Sequence, residues 1–214
     1  MNRREFIKMT VQTAIALSPL IQYGCEVALG EKEEKSNLYK NELEEILSKV
    51  NIPENSKFIT INGAEQKLYL LKYINQDQAN LIKEYLISTG KNGFGNIAGT
   101  GRTPTGLHII LGKSGEGEKI GTVFYGGKPS NIITRIHKDN VDRGTDHVTT
   151  RVIFIDGIEP NNRNTASRRI YIHGTNEEGL IGKPASKGCI RMNNKDIIEL
   201  YNLVEIGIYV NIKP

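Results

Sequence analysis

From Lys57 onward the chain alternates apolar and polar positions with a period of two, in runs rich in Ile, Val, Tyr and Thr separated by clusters of Gly, Asn, Asp and Lys. The pattern predicts strands at 57–62, 67–74, 81–88, 105–111, 121–125, 130–136, 148–156, 169–173 and 207–213. Helical spacing occurs twice. Leu43, Ile46, Leu47 and Val50 fall at i, i+3, i+4 and i+7, one face of a short helix stopped by Asn51-Ile52-Pro53. Near the end, Asn193 or Asn194 offers a cap and Asp196 suits a first turn, while Ile197, Leu200, Tyr201 and Val204 share a face before Gly207. Strands dominate and their connections lack helical periodicity. The expectation is a mainly β fold, an antiparallel or mixed β sandwich or barrel with one or two short helices, rather than a βαβ sheet.

The first thirty residues break this pattern. A charged stretch, Asn2 to Lys8, precedes the uncharged, mildly apolar Met9 to Gly24, which has the form of an export signal and is too short and polar for a membrane span. Arg3 and Arg4, followed by Phe6, Ile7 and Lys8, resemble the twin-arginine signal, with Asn2 where Ser or Thr is usual. Ala28-Leu29-Gly30 suits cleavage after Gly30, and a simple membrane tether is an equivalent outcome. Lipidation at Cys25 is the alternative, poorly supported by Gln22 and Tyr23. The organisation is therefore an export signal over 1–30, a charged spacer with a short helix over 31–55, and one domain over 56–214. The expected location is the periplasm or cell-wall space.

Composition narrows the chemistry. The 214 residues carry a net charge of +4, with -2 on residues 31–50 and +5 from Asn51 onward. Basic residues are scattered among acidic ones, without the stripe that a nucleic-acid partner requires, so none is expected. Four dispersed histidines and two cysteines do not make a metal site. Gly93-Phe94-Gly95 lacks the third glycine of a dinucleotide loop, and Gly106 to Gly112-Lys113-Ser114 is one residue too long for a phosphate-binding loop. The glycines of 90–106 instead suggest a long loop beside an active site.

Once the signal is removed, Cys189 is the sole thiol. It follows Ser186-Lys187-Gly188 and precedes Ile190-Arg191-Met192 and the capped helix. Lys187, Arg191 and a helix N-terminus all favour a thiolate. Gly188 lets a substrate backbone approach, and the amides of Gly188 and Cys189 are candidates for an oxyanion hole. His173, at the end of Arg169-Ile170-Tyr171-Ile172, is the candidate base, sixteen residues upstream. His108, His137 and His147 have no such frame and read as surface or packing residues.

Ile172-His173-Gly174-Thr175 with Ser186-Lys187-Gly188-Cys189-Ile190-Arg191-Met192 resembles the L,D-transpeptidase catalytic domain, in its YkuD-like branch. Arg102-Thr103-Pro104-Thr105-Gly106 and Ser88-Thr89-Gly90 are similar to further segments of that family, and the resemblance covers roughly 57–213. Lys187 stands where many members have a second His. The resemblance implies an L,D-transpeptidase-like β sandwich/barrel and a cysteine-dependent acyltransferase acting on peptidoglycan stem peptides in cell-wall biogenesis. In that scheme Cys189 is the nucleophile, His173 the base and Gly174 the carbonyl orienting it. The Gly188 and Cys189 amides form the oxyanion hole, Ser186 and Arg191 shape the pocket and meet a substrate carboxylate, and Lys187 adds positive charge. No metal or organic cofactor is implied. Rival outcomes keep the acyl-enzyme and change the acceptor, to water in a carboxypeptidase or cross-link hydrolase, or to a protein lysine in wall attachment. A silent wall-binding module and a protease acting on all-L peptides are more distant alternatives.

Overall fold

The computed structural model describes residues 39–214, so the export segment, Cys25 and the beginning of the spacer lie outside the described residues. Helical residues 39–47 (α1) lead into β1 (Lys57–Asn62), β2 (Lys67–Asn75), β3 (Gln78–Ser88) and β4 (Gly106–Ser114). The hairpin of β5 (Thr122–Tyr125) and β6 (Lys128–Ile133) comes next, then β7 (Val148–Gly157) and β8 (Tyr171–Thr175). A 3-10 turn at Glu178–Leu180, β9 (Ile190–Met192), helix α2 (Asn194–Leu203) and β10 (Tyr209–Lys213) complete the chain.

The strands form one mixed sheet in the order β4-β10-β1-β2-β3-β9-β8-β7-β5-β6. An additional β4–β7 pairing closes eight of them into a barrel, leaving the β5–β6 hairpin attached to β7. Closure removes the unpaired edges that an open sheet of this length would expose. Two neighbouring pairs, β1–β10 and β8–β9, are parallel.

The near-continuous apolar run of β2 is explained by burial on both faces. Leu68 and Leu70 join Ile59, Ile61, Ile153, Ile172 and Ile190 in one core, against which α2 packs Ile197, Leu200 and Tyr201. Tyr69, Leu71 and Tyr73 join Phe58 and Leu107 in a second core, covered by Tyr39, Leu43 and Ile46 of α1. Burying a side chain the size of Leu43 or Ile46 contributes about 1.5–3 kcal/mol, enough to hold a single short helix on the sheet.

The predicted strands all appear, with β3 beginning at Gln78 because a two-residue turn pairs Asn75 with Gln78. β9 was not expected. Three residues are too few to show a period, and its central residue is an arginine. Helix α2 has the expected buried face but a different cap: Asn193 makes no side-chain capping bond. Instead the Glu178 carboxylate accepts the Asn194 N–H at 2.8 Å, where a negative charge also suits the helix dipole. Asn194 in turn donates to the Thr175 carbonyl (2.7 Å) and accepts from the Thr149 hydroxyl (2.7 Å), which ties α2 to the ends of β7 and β8.

His108 is a buried packing residue on β4. Its Nδ1 donates to the Gly106 carbonyl at 2.9 Å, and Nε2 lies 3.1 Å from the Thr165 hydroxyl. Burial pulls its pKa down to about 4, against the opposing pull of the Gly106 carbonyl. The unfolded chain binds a proton there near pH 6.5, whereas the native state waits until about 4. Stability is therefore full above about pH 6.5 and falls as pH drops through that window, by about 3 kcal/mol from this residue. Urea unfolding of the wild type and of His108→Gln at several pH values is expected to show a flatter acid dependence for the variant. Parallel curves would contradict the assignment.

Candidate active site

The parallel ladder of β8 and β9 pairs Ile172 with Ile190, His173 with Arg191 and Gly174 with Met192. Ile172 and Ile190 point into the barrel core, so the alternation of strand side chains sends His173 and Arg191 to the opposite face. Cys189 lies immediately before β9, two residues from Arg191, and also packs against the edge of the Ile172–Ile190 core. The Tyr171 N–H lies 3.4 Å from Cys189 Sγ, and the thiol donates to the Arg169 carbonyl at 3.4 Å. The sequence-predicted nucleophile and base thus stand at neighbouring positions of paired parallel strands, Cys189 one residue before β9 and His173 within β8.

Glycines make the approach possible at both strand ends. A Cβ on Gly174 would stand 2.6 Å from Asn194 Oδ1 and 2.8 Å from the Thr149 carbonyl. Gly174 also presents its carbonyl to His173 Nδ1 at 2.7 Å, which puts the proton on Nδ1 and leaves Nε2 as the basic nitrogen. Gly188 has φ +118°, and a Cβ there would meet the Arg102 carbonyl at 3.0 Å and Ile170 Cδ1 at 3.1 Å.

Ser186 and Arg191 are placed differently from the sequence expectation that they meet a substrate carboxylate. Both are fully buried. Ser186 Oγ accepts the Gly188 N–H at 3.0 Å and donates to the Cys189 carbonyl at 2.6 Å, so the hydroxyl folds the turn that carries the thiol. The Gly188 amide is therefore engaged, and of the expected oxyanion pair it is the Cys189 N–H that lies outside this internal bond. Arg191 pairs with Asp146 at 3.0 Å and Glu177 at 3.1 Å, and its other amino group lies 3.3 Å from Ser88 Oγ. A buried guanidinium requires counter-charges, and two internal carboxylates supply them. Lys187 remains exposed: its Nζ reaches the Gly144 carbonyl (3.1 Å), and its amide donates to Asp146 (3.2 Å).

The glycine-rich loop 90–106 packs against this turn. Buried Thr103 accepts the Gly90 N–H at 2.8 Å and donates to the Gly188 carbonyl at 3.0 Å. Thr103, Asp146 and Glu177 were not among the expected site residues. The Thr-Pro-Thr-Gly segment was the available signal for Thr103, whereas nothing periodic marks the two acids.

Burial opposes the local positive charge that favours a thiolate. Burial pushes the Cys189 thiol up to about 12, with the Tyr171 N–H opposing, Asp146 adding to the rise, and Arg191 and Arg168 pulling down. Burial likewise pulls His173 below the ordinary histidine value, against Asp146 and the Gly174 carbonyl. Both shifts favour the uncharged form of each group. The helix N-terminus invoked for a thiolate begins at Asn194, with β9 in between, and helix-end charges fade within the first turn.

The family model of the YkuD L,D-transpeptidase catalytic domain matches residues 56–212, and the chain belongs to that family. YkuD of Bacillus subtilis (strain 168), provisionally named an L,D-transpeptidase, is 61% identical over 41 residues, 19% of this chain and 25% of that protein. Its Bacillus licheniformis counterpart is 54% identical over 43 residues, 20% of this chain and 26% of that protein. The matched stretch thus spans about a quarter of these curated relatives. Among solved structures, an L,D-transpeptidase from Mycobacterium smegmatis aligns with a TM-score of 0.43 at 12% identity, covering 74% of this chain and 58% of that one. Bd1075 of Bdellovibrio bacteriovorus aligns with a TM-score of 0.46 at 13% identity, covering 75% and 47%.

Replacing Arg191 with Leu leaves Asp146 and Glu177 buried without their cation. The expected cost is about 3–5 kcal/mol in urea unfolding near neutral pH. A loss below about 1 kcal/mol would contradict a pivotal role for the pair of ion contacts.

Proposed function

We propose that the protein is a peptidoglycan L,D-transpeptidase that forms 3→3 cross-links between stem peptides through a Cys189 thioester. The observation that carries this proposal is the half-buried Cys189 thiol one residue before β9, the strand paired with the one that bears His173, whose Nδ1 is held by the Gly174 carbonyl at 2.7 Å. His173 Nε2 takes the thiol proton as Sγ attacks the carbonyl joining the L-centre of the third stem residue, a diamino acid, to D-alanine at position four. The Cys189 N–H steadies the oxyanion. Collapse breaks the C–N bond, and His173 returns the proton to the departing amine of D-alanine. The side-chain amine of a second stem then attacks the thioester, passing its proton to His173 and restoring the thiol. Ser186, Thr103 and Arg191 act as positioning residues, holding the turn and strand that carry the sulfur. The N-terminal segment directs the domain to the periplasm or cell-wall space, where this substrate lies.

A neutral thiol and neutral imidazole make the reaction a general-base one. Because His173 is shifted below about 6.5, its basic form persists through neutral and mildly acidic pH. The expected kcat/KM profile is flat above about pH 6.5 and falls only in acid. With purified donor tetrapeptide, the wild type is expected to release D-alanine and yield a cross-linked dimer by mass. Cys189→Ala should yield neither, and His173→Gln should lose about 10²-fold or more. D-alanine release without dimer would instead assign a hydrolase, and no release from any stem peptide would remove the proposal.

A further inference from the structure

Beside the thiol lies a cleft of about 470 Å³ that the reaction scheme leaves unused, lined by Gly99, Gly101, Ser167, Arg168, Ile170 and Lys187. Its wall adjoins the nucleophile. Ile170 Cδ1 stands 3.1 Å from where a Cβ of Gly188 would be, and the Arg102 carbonyl stands 3.0 Å from the same point. Arg168 donates one amino group to that Arg102 carbonyl and the other to the Gly95 carbonyl at 3.1 Å. The neighbouring Arg169 carbonyl accepts the Cys189 thiol. Two segments of loop 90–106 and the approach to β8 thus converge on one guanidinium next to the sulfur.

Like Arg151, which donates only to carbonyls, this guanidinium has no acidic partner among the described residues, and Arg168 additionally lines an open cleft beside the nucleophile's turn. Arg191, buried nearby, is neutralised by two carboxylates. Among the described residues, no acidic side chain pairs with Arg168, although it is half-buried and its charge is opposed by desolvation. Two carbonyls occupy part of its five-donor fork and fix its orientation. Lys187 on the same cleft contributes a second positive charge, its Nζ held by the Gly144 carbonyl rather than by an acid. A partly desolvated, pre-oriented guanidinium with spare N–H groups suits a carboxylate supplied from outside, since planar fork geometry accepts carboxylate oxygens in pairs.

We propose that Arg168 determines specificity at the donor site by binding a free carboxylate of the substrate next to the carbonyl that Cys189 attacks. It rests on the proposed function for its substrate, and it selects donors whose carboxylate is ionised over those in which it is a carboxamide. Two carboxylates of a stem tetrapeptide lie close to the scissile bond: the second carboxyl of the diamino acid and the terminal carboxyl of D-alanine.

Three synthetic donors separate the two sources: one with both carboxyls free, one amidated at the diamino acid and one amidated at the terminus. The wild type is expected to disfavour one amide by roughly tenfold or more in kcat/KM, and the disfavoured amide identifies the carboxylate. In Arg168→Gln that preference should collapse towards unity, mainly through KM, and Arg168→Lys should recover part of it. No preference in the wild type, an undiminished one in Arg168→Gln, or equal loss on all three donors would overturn the proposal. A second measurement is independent of stem peptides. Cys189 Sγ displaces iodide from iodoacetate or from neutral iodoacetamide, forming an S–C bond as the thiol proton passes to His173. The ratio of the two rates should fall several-fold in Arg168→Gln, while the iodoacetamide rate alone reports an intact thiol. An unchanged ratio overturns the anion site. A changed ratio without D-alanine release from any stem peptide upholds the anion site and removes the transpeptidase assignment instead.

Discussion

The site depends on one buried cation. Arg191 stands at the centre of β9, fully enclosed, and its guanidinium joins Asp146 from the segment before β7, Glu177 from the segment after β8, and Ser88 from the end of β3. A charge in that position is tolerable only while its partners are in place, because an unpaired buried ion is far costlier than the net worth of the pair. The same requirement fixes the register of β8 and β9, since Arg191 is the residue opposite His173. Glu177 extends the constraint outward by accepting the Arg143 N–H at 2.8 Å, and Asp146 does so through the Lys187 amide at 3.2 Å. Loop positions that have no regular structure of their own are thereby tied to the strand that follows the nucleophile.

From that constraint follows the resting chemistry. Burial acts on thiol and imidazole in opposite senses on the pKa scale and in the same sense on charge: both are driven to their neutral forms. Asp146 faces both groups and raises both pKa values, which discourages the thiolate and moderates the loss of basicity at His173. The Gly174 carbonyl selects the tautomer in which Nε2 is basic. Such a pair needs no resting ion pair. Its demand is that proton transfer and attack occur together, inside a site already shaped by Ser186, Thr103 and the glycines.

Much of the fold was legible because its signals are local. Ile197, Leu200 and Tyr201 announce α2, Leu43 and Ile46 announce α1, and the apolar runs of β1 and β2 announce strands, which the structure buries against helices on both faces. Cys189 and His173 were legible as a pair through their small-residue surroundings. What sequence could not convey is long-range pairing. β9 is too short to have a period, and Arg191 in its middle reads as a pocket residue that meets a substrate carboxylate until Asp146 and Glu177, 45 and 14 residues away, are seen to enclose it. The helix cap was legible only in position: Asn193 stands at the N-cap, but Glu178 rather than an asparagine side chain accepts the first amide of α2. Ser186 looked like a pocket wall, yet its bonds to Gly188 and Cys189 make it the internal brace of the turn.

The central claim is that this Cys–His site rests uncharged. Thiolate absorbance in the far ultraviolet, titrated in the wild type with Cys189→Ser as the blank, measures that state directly. The account predicts no thiolate signal through neutral pH, with a rise only well into the alkaline range, as expected for a thiol pushed up to about 12. A difference signal titrating below about pH 7 would contradict it, because it would mean that the site holds a preformed thiolate–imidazolium pair.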